Sequence, residues 1–268
     1  MVHTLEIPTL DLADLKSKAP ADNARAAEAI RTAFGTYGLI YLKNHGVTAP
    51  DAVFERFAAF CDRPQEVKQP YNRPDIWYQR GWTPPNTEKA VVASGQPDFK
   101  ECWFAAPEPL DPECRAEFPE IYADNIWPVE DPEFQAPYLR LGAELHAAGM
   151  LLLEGAARAL SLEPEAFAAR CLGAAHVLRV LKYLALSEEQ IQAKVLWGEE
   201  HTDFNLLTLL PGGRFLDPEG RRCPPPDAGS GLYLRTRPSE AEPEGQLVRG
   251  RAPEGCIVAQ VGQQLEIL

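Results

Sequence analysis

Apolar residues recur at helical spacing through the part of the chain that precedes residue 176. The clearest stripe starts at Ala26 and follows an i, i+4, i+7, i+8 pattern behind Pro20, a residue suited to a first helical turn. Gly35 and Gly38 are expected to end that helix. Helices are predicted from Pro20 to Phe34, from Pro50 through Phe60, over residues 133–160, and near Pro164.

Strand-like patterns open the chain and dominate its last third. The alternation at residues 7–12, with Pro8 near its start, fits an edge strand or an extended entry segment, and Leu39 to Leu42 reads as a buried strand. Later strands are predicted at residues 177–183, 195–197, 206–210, 232–234, 246–248, 256–261 and 265–268. Short strands after a helical half, with Gly and Pro clusters between them, predict an α+β protein with a helix-braced jelly roll or barrel.

Residues 64–137 form the least regular part of the sequence. They are rich in proline and contain four of the five tryptophans, among them Trp82 and Trp103. Tryptophan needs burial, so an ordered region is predicted. No composition shift marks a boundary, and we predict a single domain over residues 1–268, mostly helical to 176 and a β core from 177.

Charge and composition narrow the classes of function. The formal net charge of −13 disfavours nucleic acid and anionic membrane surfaces as partners. The N-terminus lacks a signal-peptide pattern, and no apolar stretch is long enough to span a membrane, so a cytoplasmic protein is expected. The six cysteines are scattered, which predicts reduced thiols. Phosphate-binding loops and serine-hydrolase elbows are absent from the sequence.

The chemistry-bearing motif is His201-Thr202-Asp203, directly ahead of the apolar run Leu206-Leu207-Thr208-Leu209-Leu210. Strand geometry sends residues i and i+2 to the same face, so the imidazole and the carboxylate are expected to point the same way. One imidazole and one carboxylate are two parts of the 2-His-1-carboxylate triad that holds Fe(II). The alternative is a chance pattern, with an exposed histidine and a turn aspartate.

Several motifs in one order resemble the isopenicillin-N-synthase-like Fe(II)/2-oxoglutarate dioxygenases. The motifs are Ile7-Pro8, Asn44-His45-Gly46, Arg80-Gly81-Trp82, Asp98-Phe99-Lys100-Glu101, Trp127-Pro128, Leu178-Arg179 with Tyr183, and the His201-Thr202-Asp203 segment with Gly212-Gly213. The resemblance covers nearly the whole chain. It implies a double-stranded β-helix (a cupin-like jelly roll) braced by N-terminal and central helices.

The resemblance also implies an activity and a set of ligands. His201 and Asp203 would bind Fe(II), with 2-oxoglutarate as co-substrate, and a small organic molecule would be oxidised by O2 with release of succinate and CO2. Hydroxylation is the expected outcome, with desaturation or ring closure as alternatives. Tyr183 either hydrogen-bonds the 2-oxoglutarate carboxylate or packs in the core. Arg80, Lys100 and Glu101 either contact substrate or form ion pairs within their own region.

Two departures from the family pattern concern the site. Asn205 stands where a small residue is more common, and no histidine follows His201. The family's third ligand and the Arg-x-Ser that anchors 2-oxoglutarate would lie beyond Leu268, so a fragment of a longer chain, lacking its last strands, is expected. An earlier histidine, His176 or His45, is the competing source of a third ligand. A jelly-roll protein that binds a ligand without catalysis is the alternative function.

Overall fold

The structure is a computed structural model that describes residues 6–48, 50–88 and 99–267. The strands are β1 Thr9–Asp11, β2 Leu39–Lys43, β3 Gly81–Thr83, β4 Lys100–Ala105, β5 Leu178–Tyr183, β6 Leu207–Leu210, β7 Phe215–Leu216, β8 Arg222–Cys223, β9 Leu232–Arg235, β10 Leu247–Gly250 and β11 Ile257–Val261. The α-helices are α1 Leu12–Lys16, α2 Pro20–Thr32, α3 Pro50–Cys61, α4 Gln65–Lys68, α5 Pro112–Glu117, α6 Gln135–Ala159, α7 Glu165–Ala168, α8 Glu188–Gln192 and α9 Gln263–Ile267. Asp98 and Leu268, which belong to predicted segments, lie outside the described residues.

The chain divides into two compact units. The first comprises Met1–Gly46, Ala147–Ala169 and Thr202–Leu268, and the second comprises Val47–His146 and Arg170–His201. Each unit therefore draws on segments from both sides of residue 176, and the single-domain organisation remains a prediction. Among the described residues, no helix is long and apolar enough to cross a membrane.

The first unit is built on a four-stranded sheet in the order β1-β2-β11-β6. β1 lies at the sheet edge, one of the two predicted possibilities, and pairs with β2 in parallel. β11 runs antiparallel between β2 and β6. The antiparallel pair β9–β10 supplies Val248 to a core shared with Leu39, Tyr41 and Val258 of the sheet. One face of the sheet thus packs against the β9–β10 ribbon.

Helices cover the other parts of this unit's core. α2 starts at Pro20 as predicted, but the chain passes Gly35 in a π-helical turn, Ala33–Tyr37, and stops at the left-handed Gly38. Gly155 of α6 lies against Leu15 and Ile30. A Cβ atom at position 155 would lie only 2.8–3.0 Å from their side chains. This small residue is needed for the helices to approach each other closely.

The predicted strand at residues 265–268 is wrong, because Gln263–Ile267 forms α9. The amide groups of Leu265 and Glu266 both donate to the Gly262 carbonyl, at 3.1 Å each. The turn after β11 therefore satisfies its own backbone hydrogen bonds, and the Gln-Gln-Leu-Glu sequence suits a helix better than a strand. The strands predicted near residues 206, 232, 246 and 256 are confirmed.

The second unit is built on the antiparallel sheet β3-β4-β5. Its core is aromatic: the ring of Trp103 lies 5.0 Å from that of Phe60 and 5.1 Å from that of Phe134, centroid to centroid. β3 and β4 come from the region predicted to be irregular. The strand predicted at residues 195–197 is also wrong, since helix α8 precedes it with a Ser187/Gln190 capping box and no strand follows there.

Helix α6 begins and ends within two residues of the predicted bounds. Its Tyr138 side chain connects the helix to strands of the second unit. The buried Tyr138 hydroxyl donates to the Trp103 carbonyl oxygen at 2.6 Å and accepts from the Val180 amide at 3.2 Å. Burial raises the pKa of Tyr138 well above its ordinary value. This single hydroxyl bridges the helix to β4 and β5.

We expect the Tyr138→Phe variant to lose about 1–3 kcal/mol of unfolding free energy, because two buried backbone groups lose their partner. Urea denaturation measures the change, with an unaltered m-value as the sign of an intact native state. Tyr233→Phe is the matched control, since its hydroxyl also bonds a carbonyl, that of Gly229, but in an exposed position. Equal losses of unfolding free energy in both variants would show that the buried hydrogen bonds of Tyr138 stabilise the fold no more than an exposed one does.

Candidate metal site

The His201-Thr202-Asp203 motif lies in irregular chain ahead of β6, not inside the strand. Strand geometry at residues 201–203, on which the predicted alignment of the two side chains relied, is therefore not observed. β6 starts only at Leu207, because the preceding residues are held by loop contacts. The division between the two units falls between His201 and Thr202, so His201 belongs to the second unit and Asp203 to the first.

His201 is an exposed residue at the end of the second unit. Its Nδ1 lies 2.8 Å from the Glu199 carbonyl oxygen. A carbonyl oxygen can only accept, so Nδ1 carries the proton in this hydrogen bond, and the lone pair of the neutral imidazole lies on Nε2. Metal-binding histidines commonly have this arrangement, with the far nitrogen hydrogen-bonded to a carbonyl or carboxylate.

Asp203 is held from both its side chain and its backbone. Its Oδ2 accepts from the Thr208 hydroxyl at 2.5 Å, and that hydroxyl oxygen accepts from the Asn205 side-chain amide at 2.7 Å. The Asp203 carbonyl accepts from the Gln263 amide at 2.7 Å. The carboxylate therefore has a defined hydrogen-bonding partner within its own unit.

The loop that carries Asp203 is attached to the turn that follows β11. The Gly262 amide donates to the Leu206 carbonyl at 3.1 Å, and the Gln264 amide donates to the Asn205 carbonyl at 3.2 Å. A Cβ atom at Gly262 would lie 2.0 Å from the Asn205 carbonyl oxygen. Glycine is required at this position because the two backbones are so close.

Tyr183 ends β5 in the second unit and is 41% exposed. A Cβ atom at Gly198 would lie 3.9 Å from its hydroxyl oxygen, and Trp197 Nε1 donates to the Leu184 carbonyl at 3.0 Å. The chain leading to His201 thus returns to the end of β5. The exposure of Tyr183 disfavours the alternative in which it is a core aromatic residue.

The other charged candidates form contacts within their own region, the alternative to substrate contact. Arg80 is buried and donates to the carbonyls of Gln79, Ile121 and Ala123, and Lys100 pairs with Glu88 at 3.0 Å. Buried Glu101 accepts from Lys68 at 3.0 Å and from Trp82 Nε1 at 2.7 Å. All three serve the packing of the second unit.

The earlier histidines also have partners away from the motif. His45 Nε2 lies 3.2 Å from the Gly255 carbonyl oxygen, and His176 Nε2 lies 2.7 Å from that of Cys171. The rings of His146 and His176 are 4.6 Å apart, and burial together with His176 holds the pKa of His146 below its ordinary value. Within residues 6–48, 50–88 and 99–267, no three His, Cys, Asp or Glu side chains form a metal-binding group.

The two donor types, an imidazole nitrogen and a carboxylate oxygen, match those of Fe(II) facial triads. A neutral imidazole with its lone pair on Nε2 and a hydrogen-bonded carboxylate are two donors of the facial-triad type. The residue that sequence reasoning missed is Thr208. Its signal is visible afterwards, because it is the single polar residue in the apolar run that follows the motif.

Comparison with known sequences gives consistent matches. A family model described as "non-haem dioxygenase in morphine synthesis N-terminal" matches residues 7–130. Validamycin A dioxygenase of Streptomyces hygroscopicus subsp. limoneus is 30% identical over 213 residues, which cover 77% of this chain and 58% of the relative. Proline hydroxylase buaE of Petromyces alliaceus is 27% identical, with 77% and 64% covered. The chain therefore spans roughly three-fifths of the length of these two relatives.

Comparison with solved structures shows the fold. A full-length Neurospora crassa protein, crystallised in complex with alpha-KG, superposes with a TM-score of 0.70 at 24% identity, covering 97% of this chain and 74% of that one. A protein of the 2OG-Fe(II) oxygenase family from Caulobacter crescentus superposes with a TM-score of 0.68 at 26% identity, covering 98% and 76%.

Proposed function

We propose that the chain is a member of the non-haem Fe(II)/2-oxoglutarate-dependent dioxygenases and that it oxidises a small organic molecule with O2. Fe(II) is the proposed metal and 2-oxoglutarate the proposed co-substrate. The observation that carries the proposal is the hydrogen bond from His201 Nδ1 to the Glu199 carbonyl, at 2.8 Å. With the proton on Nδ1, a neutral ring has its lone pair on Nε2, and this supports Nε2 as the proposed metal ligand beside Asp203.

In this proposal, His201 and Asp203 hold the metal and the Tyr183 hydroxyl donates to a carboxylate oxygen of 2-oxoglutarate. The bound ion and its co-substrate supply the oxidising power, with 2-oxoglutarate converted to succinate and CO2 and the substrate hydroxylated. The Glu199 carbonyl keeps the His201 imidazole in one tautomer. The exposed side chain of Tyr183 can reach a bound ligand, which a core tyrosine could not.

The fold proposed for the first unit is a double-stranded β-helix. The support is that the β1-β2-β11-β6 sheet packs one face against the β9–β10 ribbon, and that the fold neighbours include an oxygenase of this class. The substrate is proposed only as a small organic molecule. The names of the relatives point to chemically different compounds, among them validamycin A, proline and leucoanthocyanidin.

Anaerobic titration tests the proposal. Addition of Fe(II) and 2-oxoglutarate to the 268-residue chain is expected to give a weak visible charge-transfer band that neither component gives alone with the protein. The His201→Ala variant is the control and is expected to lose the band. Absence of the band from the parent protein at saturating Fe(II) would contradict the proposal.

A second candidate function is ligand binding without catalysis. It is favoured by one observation: within residues 6–48, 50–88 and 99–267, no three His, Cys, Asp or Glu side chains form a group that could hold a metal ion. The same titration separates the two functions, because a protein that only binds an organic ligand gives no metal-dependent band.

A further inference from the structure

Thr208 lies on the face of the β1-β2-β11-β6 sheet that packs against the β9–β10 ribbon. Side chains alternate along a strand, and Leu207 and Leu209 of β6 point towards Gly149 of α6, where a Cβ atom would lie 3.1 Å from Leu209 and 3.9 Å from Leu207. Thr208 therefore points to the opposite face, which the β9–β10 ribbon covers. The Asp203 carboxylate meets Thr208 on that face.

The direction of the hydrogen bonds at Thr208 follows from the donor inventory. The Asn205 amide nitrogen can only donate, so at 2.7 Å it occupies a lone pair of the Thr208 hydroxyl oxygen. An ionised carboxylate can only accept, so the single hydroxyl proton of Thr208 goes to Asp203 Oδ2, at 2.5 Å. The chain Asn205, Thr208, Asp203 thus has one consistent polarity.

Both ends of this chain are fixed to the backbone after β11. The Asp203 carbonyl accepts from the Gln263 amide, and the Asn205 carbonyl accepts from the Gln264 amide, at 2.7 and 3.2 Å. Side-chain rotation is therefore the main freedom left to the Asp203 carboxylate. A hydrogen bond to Oδ2 restricts that rotation and orients Oδ1.

We propose that Thr208 is a positioning residue that orients the Asp203 carboxylate for metal binding, and that Asn205 in turn orients the Thr208 hydroxyl. The inference rests on the proposed function, because it takes Asp203 as a ligand. Hydrogen-bonding partners of ligating side chains commonly contribute 10–100-fold, roughly, to metal affinity. Asn205, a departure from the family's small residue, thereby acquires a role.

Mn(II) binding to the purified chain tests the inference without turnover, by electron paramagnetic resonance of the free ion in anaerobic buffer. Thr208→Val, which keeps the side-chain shape and removes the hydroxyl, is expected to raise the Kd about 10–100-fold. Thr208→Ser restores the hydroxyl and is expected to bind nearly as the parent does. Asn205→Ala, which acts only through Thr208, is expected to raise the Kd by about tenfold or less.

Thr9→Val is the matched control, an exposed threonine of β1 in the same sheet, and is expected to leave the Kd unchanged. The visible spectrum of bound Co(II) gives a second measurement, expected to change in Thr208→Val and to recover in Thr208→Ser. Parent-like affinity in a folded Thr208→Val variant, or equal losses in the Val and Ser variants, would overturn the positioning role alone. Parent-like affinity in His201→Ala would overturn the metal site, and the inference with it.

Discussion

Replacing Asp203 with alanine is expected to lower Fe(II) affinity by at least about 100-fold. The reason is that the variant removes the anionic donor of the proposed His201/Asp203 pair, whereas loss of a ligand's hydrogen-bonding partner alone commonly costs roughly 10–100-fold. Iron content after anaerobic reconstitution and desalting measures the effect, by colorimetric chelation of the released iron. The parent is expected to retain iron and Asp203→Ala to retain almost none.

Two variants make this result specific to the carboxylate. Asp203→Asn keeps the shape and one oxygen but loses the charge, and it is expected to fall close to the alanine variant. Asn205→Ala alters the same loop without removing a donor and is expected to lose far less iron. Equal iron content in Asp203→Ala and Asn205→Ala would remove Asp203 from the site.

The Glu101→Ala variant is expected to lose about 3–5 kcal/mol of unfolding free energy, the largest effect on stability that we predict. Removing one partner of a buried ion pair leaves the other charge uncompensated. Lys68 is 7% exposed, its Nζ lies 3.0 Å from Glu101 Oε2, and buried Trp82 would lose its acceptor as well. Chemical denaturation of Glu101→Ala measures the loss.

The double variant Lys68→Met/Glu101→Gln distinguishes two causes of the stability loss: the unpaired charge of Lys68 and the packing lost with the Glu101 side chain. It removes both charges and keeps an acceptor for the Trp82 indole, so it is expected to recover most of the stability. Glu28→Ala breaks an exposed pair with Arg31 and is expected to cost no more than about 1 kcal/mol. A loss in Glu101→Ala as small as in Glu28→Ala would contradict the argument.

The long helices and the strands of the first unit can be predicted because periodicity reports burial directly. The stripe of α6 arises from one apolar face meeting a core, and the continuous apolar run of β2 arises from a strand that is buried on both faces. β4 escapes prediction because it opens with Lys100 and Glu101, whose charges are accommodated by partners distant in sequence. The strand prediction for residues 265–268 fails because a short apolar alternation also fits one helical turn.

The candidate site shows the same limit. The spacing of His201 and Asp203 is visible in the sequence, since the chemistry of a metal ligand is a property of the residue itself. The role inferred for Thr208 is not, because it depends on which loop a hydroxyl faces after folding. Likewise, the tautomer of His201 depends on the Glu199 carbonyl, and no residue type specifies a backbone partner.

The central place of β11 in its sheet has a kinetic consequence. β2 and β6 are joined only through β11, and the loop bearing Asp203 is fastened by residues 262–264. During synthesis, β1 and β2 are therefore made long before β11, which begins at Ile257. The four-stranded sheet can form only after β11 has been synthesised. Such high contact order slows folding. The Asp203 loop can reach its final form only after residues 262–264 have left the ribosome, so metal binding at the proposed ligand Asp203 is expected to follow their synthesis.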